Sequence, residues 1–362
     1  MKKIIVFLLL TALLMSFAGC QVKEEKTVIN VYNWGQYISE GNDGCIDVIA
    51  EFEAAYPNIR VNYVTFDSNE TMYTKMANGG ITVDVIIPSD YMVDRLISEN
   101  MLLELNMDNI PNAQYIGQEY LGWDFDPDNT YSLPYSWGTV GIIYNSKYVS
   151  EEDVAEGWDL LWNPKYAGKI LMFDNSRDAF CITQFKLGYR NINEPTEQEL
   201  LNCAEELAKQ RPIVQQYIMD QVFDLMENEE AWIAPYYAGD YLTMAGENED
   251  LCFYLPDQGY NAFIDAMCIP TCAENKEAAE LFINFLCDPE IAGGNMDWIC
   301  YGTPISEALQ YMDPETVEDP SYPTKELWVA GDVYESLPRA TSRLMEELFM
   351  QVLNGIPIHL PD

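Results

Sequence analysis

Short apolar runs alternate with helical patterns from residue 27 onward, and that alternation confines the chain to layered α/β architectures. Residues 27–32 alternate as a strand, and Ile46, Ile49, Phe52 and Tyr56 recur at helical spacing until Pro57 stops them. A second strand is expected over 61–66, and Asp67 with Glu70 three residues on has the capping-box pattern for the helix that follows. Residues 83–87 form a short apolar strand ending at Pro88. Interleaved helices and apolar strands predict a largely parallel sheet. A strand at 138–144 follows the turn-rich, acidic stretch 124–134 and is placed to cross between two lobes. The alternation resumes with a strand at 169–173, a polar helix at 196–209, a strand at 231–236 and an amphipathic helix at 276–287, after which Asp288-Pro289-Glu290 opens another helix. No internal repeat interrupts the pattern.

The N-terminal segment closes at Cys20. Lys2 and Lys3 precede an almost wholly apolar run over 4–15, and Ser16-Phe17-Ala18-Gly19 leads into the cysteine. The run is shorter than the about 20 residues a membrane span needs. It resembles a bacterial lipoprotein leader, residues 1–19, in which Cys20 is lipidated and 20–26 tether the body, with Phe17 where an aliphatic residue is usual. An ordinary secretory leader is the alternative, and both place the remainder outside the cytoplasm. That remainder is long enough for two lobes, since single cores stop growing at about 250 to 300 residues.

The chain carries 59 acidic against 19 basic residues, a formal charge of −40. Such a field disfavours nucleic acid and anionic substrates and draws cations from a distance. Solubility explains the same charge, and 48% hydrophobic residues exclude disorder as its meaning. Eight cysteines follow Cys20. Cys203 and Cys287 fall in apolar helical segments, which suits buried thiols better than a disulfide framework, and Cys268 with Cys272 lacks zinc-site spacing.

Several chemistries are missing. The single histidine is His359, so a Ser-His-Asp triad, a Cys-His pair and histidine-rich metal sites are excluded. Gly168-Lys169 is followed by Ile170, not by the Ser or Thr of a phosphate loop. Asp124, Asp126 and Asp128 alternate like calcium ligands, but Asn129 and Tyr135 stand where an EF-hand needs Gly and Glu, so a solvated acidic turn is expected. No metal and no cofactor is expected. A carboxylate pair could serve a glycosidase, yet with so many acids a pair is uninformative.

Ligands of open α/β sheets bind beyond the carboxyl ends of strands, where Asn33-Trp34-Gly35-Gln36-Tyr37 and Pro88-Ser89-Asp90-Tyr91 lie. These segments, together with Ser68-Asn69-Glu70-Thr71-Met72-Tyr73, Pro134-Tyr135-Ser136-Trp137-Gly138-Thr139, Trp158-Asp159 and Asn284-Phe285-Leu286, resemble the spermidine/putrescine-binding receptors of bacterial ABC importers over residues 27–355. The resemblance implies a two-lobed α/β periplasmic-binding-protein-like fold with hinge-crossing strands and an interlobe cleft, no catalysis, a monomer, and delivery of a polyamine to permease subunits. Lobe 1 is then expected over 27–137 plus 262–306, and lobe 2 over 138–261 plus 307–357.

By the same resemblance Trp34, Tyr37, Ser89 and Tyr91 match cleft residues of the first lobe. Asp178 stands in a loop where the family places two acids, with Asn175 at the first of those positions. Tyr237 and Asp240 match a Trp-Ala-Gly-Asp segment, Phe263 and Asp265 an aromatic wall with its acid, Tyr301 a cleft tyrosine, and Glu335 a family glutamine. Arg177 is a salt-bridge candidate for one of the acids. The residue types suit the ligand: each ammonium needs a carboxylate to replace its water, and the methylenes between need flat apolar walls, whose ring faces attract cations by about 0.5 to 2 kcal/mol. A receptor for another organic cation, or an extracellular glycosidase, are the competing readings.

Overall fold

The computed structural model describes residues 26–79 and 81–360, without the side chain of Asp43; the leader, Cys20 and residues 21–25 lie outside the described residues. Nine strands form one sheet: β1 Thr27–Trp34, β2 Ile59–Phe66, β3 Val85–Ile86, β4 Ser132–Asn145, β5 Ile170–Phe173, β6 Val214–Ile218, β7 Ile233–Tyr237, β8 Leu251–Tyr254 and β9 Ala262–Cys268. Their order is β2-β1-β3-β9-β4-β7-β5-β6, with β8 beside β4.

The sheet is mixed, not largely parallel. β1 pairs in parallel with β2 and β3, and β5 with β6 and β7, but β9 and β4 run antiparallel to their neighbours. The alternation of helices and strands is legible in each wing; β9 and β4, the two strands that join the wings, carry the reversal. β4 is 14 residues long and buried along almost its whole length. Ser132 to Thr139 pair with β9, and Val140 to Tyr144 pair with β7. One strand therefore belongs to both wings, and its partner changes at a single peptide.

Helix starts follow local chemistry. The Asp47 carboxylate accepts from the Ala50 amide ahead of the Val48–Ala55 helix. The capping box at the next helix, Asn69–Ala77, is made by Ser68 and Thr71 instead of Asp67 and Glu70. That one-residue shift leaves both acids unengaged as caps. Asp288 and Pro289 open the Pro289–Ile299 helix as their sequence predicts.

The acidic turn is solvated at Asp124 and Asp128, as expected, but not at Asp126. Asp126 is buried, and its carboxylate accepts from the backbone of Thr130, Tyr131 and Ser132 and from the Ser132 hydroxyl. It folds the turn that delivers the chain into β4, which is why it is not solvated. Cys181, Cys203, Cys268 and Cys287 are buried thiols. Residues 307–330 pack on the first wing: Trp328 meets Trp123 and Trp137 edge-on and Tyr120 at a tilt, and Lys325 pairs with Glu119 at 2.7 Å. No helix among the described residues is long and apolar enough to cross a membrane.

Candidate ligand-binding site

Six parallel strands, three in each wing, end at one cavity of about 960 Å3, its mouth included. β1 delivers Trp34 and Tyr37; β2 delivers Phe66 and Asp67; the turn after β3 delivers Ser89, Asp90 and Tyr91. From the other wing, β5 leads to Asn175 and Asp178, β6 to Met219 and Asp220, and β7 to Tyr237 and Asp240. Phe263 and Asp265 on β9, with Tyr301 and Tyr334, complete the lining. This is the placement expected at the carboxyl ends of open sheets.

Ten of the sequence-predicted residues, all except Glu335, line this one cavity. Glu335 lines a neighbouring cavity, and only its backbone is engaged, by Asn193 and Arg177. The segment around it has no regular structure, and stepping one residue along an extended chain turns the side chain to the other side. Tyr334 is therefore the residue that faces the cleft. Nothing in the local pattern marks it, because a lone tyrosine in an irregular stretch carries no periodicity.

Six carboxylates line the cavity, from Asp67, Asp90, Asp178, Asp220, Asp240 and Asp265, and no Lys, Arg or His does. The three acids carried over from the resemblance share one arrangement, in which tyrosine hydroxyls hold each of them. Tyr37 donates to Asp265 Oδ2 at 2.6 Å and also contacts the Ser136 hydroxyl. Tyr334 donates to Asp178 Oδ1 at 3.0 Å and Tyr237 to Asp178 Oδ2 at 3.2 Å. The Tyr301 hydroxyl stands beside Asp240 and favours its ionised form. A phenol fixes the direction of a carboxylate without cancelling its charge, so the acids are oriented and still anionic when ionised.

Asp265 shows the consequence most sharply. It is 4% exposed, and its Oδ1 has no hydrogen-bond partner. Burial pushes its carboxyl up to about 6, with the Tyr37 and Ser89 hydroxyls pulling the other way. Burial likewise raises Asp178 to about 6 against its two phenols, and Asp240 to about 7, with Asp220 adding to the rise. Asp90, wholly buried, is pushed well above the usual carboxylate range by burial and by nearby Asp265, although it accepts from the Tyr91 amide at 2.7 Å. Sequence reasoning passed over Asp90 and Asp220; their clustering depends on which loops meet, which spacing does not reveal.

Arg177 neutralises none of these acids by a salt bridge. Its guanidinium lies over the Tyr334 ring, 4.5 Å from the centroid, and donates to Asn193 and to the Glu335 carbonyl. Apolar walls connect the acids. Tyr237 meets Phe263 edge-on at 5.3 Å, Phe263 meets Tyr301 at 6.1 Å, and Tyr301 meets Tyr37 at 5.0 Å. Two glycines make room for this wall. A Cβ on Gly138 would stand 2.7 Å from Phe263, and one on Gly239 would collide with the Tyr301 ring. Trp34 packs on Phe66, its neighbour on the adjacent strand, at 4.6 Å. Among the described residues no group of three or more His, Cys, Asp or Glu side chains is placed to hold a metal ion.

The family described as bacterial extracellular solute-binding protein matches residues 81–320. The chain belongs to it. Over 335 residues it is 30% identical to a spermidine/putrescine-binding periplasmic protein of Escherichia coli, covering 92% of this chain and 93% of that protein. Among solved structures, a proposed spermidine/putrescine ABC transporter protein of Listeria monocytogenes matches with a TM-score of 0.84 at 33% identity, covering 91% of this chain and 99% of that one. A substrate-binding protein of a spermidine/putrescine ABC transporter from Streptococcus pneumoniae matches with a TM-score of 0.76 at 34% identity, covering 91% and 99%. The solute-binding family shares the two-lobed α/β fold with an interlobe cleft that the sheet order describes here.

Proposed function

We propose that this chain is the extracytoplasmic receptor of an ABC importer and captures spermidine or putrescine between its lobes. One observation carries the reading: a cavity walled by rings holds six carboxylates and no base, and one of them leaves a buried oxygen unpaired. A buried, unpaired carboxylate costs several kcal/mol, and the protein's only internal relief is to take up protons, as the raised carboxyls express. An organic polycation relieves it from outside. Asp265, Asp178 and Asp240 receive the ammonium groups; Trp34, Tyr37, Tyr91, Tyr237, Phe263 and Tyr301 wall the methylenes; Ser89 supports Asp265.

The lobes divide where β4 changes partner, with 27–137 and 262–306 on one side and 138–261 on the other. Because residues 307–330 pack on the first lobe, the last boundary belongs near Gly331. Ligand bridging both lobes favours the closed state by differential affinity, the one means by which binding shifts a population. Cys20 carries the lipid anchor, the receptor acts as a monomer, and it performs no catalysis. Titration calorimetry with putrescine, spermidine, spermine and a panel of sugars tests the reading: heat with the amines and none with the sugars is expected. A folded protein that ignores every amine at millimolar concentration would sink it; turnover of a glycoside would establish the enzyme instead.

A further inference from the structure

A second cavity lies behind the first, and a pair of rings separates them. Tyr91 lines both cavities. Tyr334 lines the first, while Glu335 beside it and Arg177 on its ring face line the second. Tyr91 and Tyr334 meet edge to face at 6.2 Å. The Tyr334 hydroxyl is bonded to Asp178, so this partition stands directly past the carboxylate at that end of the slot.

We propose that Tyr334, with Tyr91, is the length-determining wall of the site: it ends the slot one group beyond Asp178 and excludes amines that extend further. The inference rests on the polyamine reading. Three features make the partition selective instead of merely filled. Tyr334 is only 4% exposed and held on two sides, by its hydroxyl on Asp178 and by the guanidinium over its face, so it does not swing aside without breaking both contacts. Behind it the Arg177 Nε and Nη1 atoms have no hydrogen-bond partner, so the first charge beyond the ring is a buried cation that repels an advancing ammonium. Past that, Glu70 accepts from the Tyr91 hydroxyl at 3.0 Å and faces Glu346, whose carboxyl is raised by burial and by Glu70. Anionic oxygen suited to one more ammonium thus lies on the far side of a ring that blocks the way.

The test is a calorimetric length series of putrescine, spermidine and spermine on wild type, Tyr334→Phe, Tyr334→Ala and Tyr91→Ala. In Tyr334→Ala the affinity for spermine relative to putrescine is expected to rise at least tenfold over wild type. Tyr334→Phe keeps the ring and is expected to keep the wild-type order while weakening all three amines. Tyr91→Ala opens the other half of the partition, is expected to shift the order in the same direction, and decides the matter if Tyr334→Ala does not fold. An unchanged order in the opened variants overturns the inference while leaving the receptor intact. An equal shift in Tyr334→Phe also overturns it, because the hydroxyl and not the ring would then set the length. A wild-type protein that binds none of the three removes the polyamine reading itself, and the inference with it.

Discussion

Two cavities of this molecule share the Tyr91 ring and surround their carboxylates with different partners. The slot holds six carboxylates with no base among them, and phenols or backbone orient four, Asp90, Asp178, Asp240 and Asp265. The cavity behind Tyr91 holds five acids, from Glu70, Asp94, Glu99, Glu335 and Glu346, interleaved with four arginines. There Glu99 accepts from Tyr73, Arg95 and Arg339, which hold its carboxyl down at about 2, the reverse of the rise in the slot. Glu99, paired internally, needs no ligand, whereas Asp94 and Glu346 in the same cavity are raised by burial as the slot acids are; acids that are only oriented are waiting for a partner. The distinction lies in partners, not in the number of carboxylates.

The largest effect that can break this comparison is at Asp265. Replacing it with Asn removes the one oxygen left without a partner, and since a buried ion pair loses about 3 to 5 kcal/mol when one member is deleted, amine affinity is expected to fall by roughly 100-fold or more in calorimetry. Unchanged affinity would place the ammonium elsewhere. The empty variant is expected to melt no lower than wild type, because the lost group was unfavourable there.

Acidity gives the next effect. Raised carboxyls take up protons in the empty slot, and an ammonium ligand must expel them, so affinity is expected to drop about tenfold or more between pH 7.5 and 5.5 as Asp240 near 7 and Asp178 and Asp265 near 6 protonate. Stability of the empty protein runs the other way. Folded values above the unfolded one mean that the native state binds more protons, so the melting temperature is expected to rise as pH falls from 8 to 5, and saturating amine is expected to abolish the rise. Calorimetry and melting at both pH values check this, and a pH-independent affinity would show that the slot acids are already ionised when empty.

Asn175 sharpens the comparison by addition. It caps the Ser176–Lys186 helix, accepting from the Arg177 and Asp178 amides, and it lines the slot where the family pattern has an acid. Asp at this position caps equally well, so Asn175→Asp is expected to keep the fold and to raise spermidine affinity about threefold relative to putrescine. A uniform gain for both amines would mean that the added charge acts only at long range. The smallest effect belongs to the paired cavity. Arg339→Ala removes an exposed partner of Glu99 and is expected to change amine affinity by less than about twofold at physiological salt. A tenfold loss there would mean that the two cavities are not independent.

The comparison also marks what a sequence can disclose. Trp34, Tyr37, Ser89 and Tyr91 were legible because the family resemblance falls on segments that end apolar strands, where a cleft forms. Asp265 was legible through the resemblance of the Phe263-Ile264-Asp265 segment to a family wall with its acid. The Tyr334–Glu335 step was not, since an irregular segment gives no phase from which to choose between neighbours. Asp126 and the Ser68 cap were misplaced for a related reason: competing acids and hydroxyls adjacent in sequence differ only in which one the folded backbone brings into reach. The mixed sheet stayed hidden because strand direction at its centre is set by the route of β4 and β9, and not by anything within either strand.

The partner change along β4 has a mechanical meaning. Because the ladder to β9 ends at Thr139 and the ladder to β7 begins at Val140, a bend at that peptide strains few inter-strand bonds on either side. The molecule therefore carries a flexure in its own spine, and cargo that enters it need not deform either rigid half in order to be enclosed.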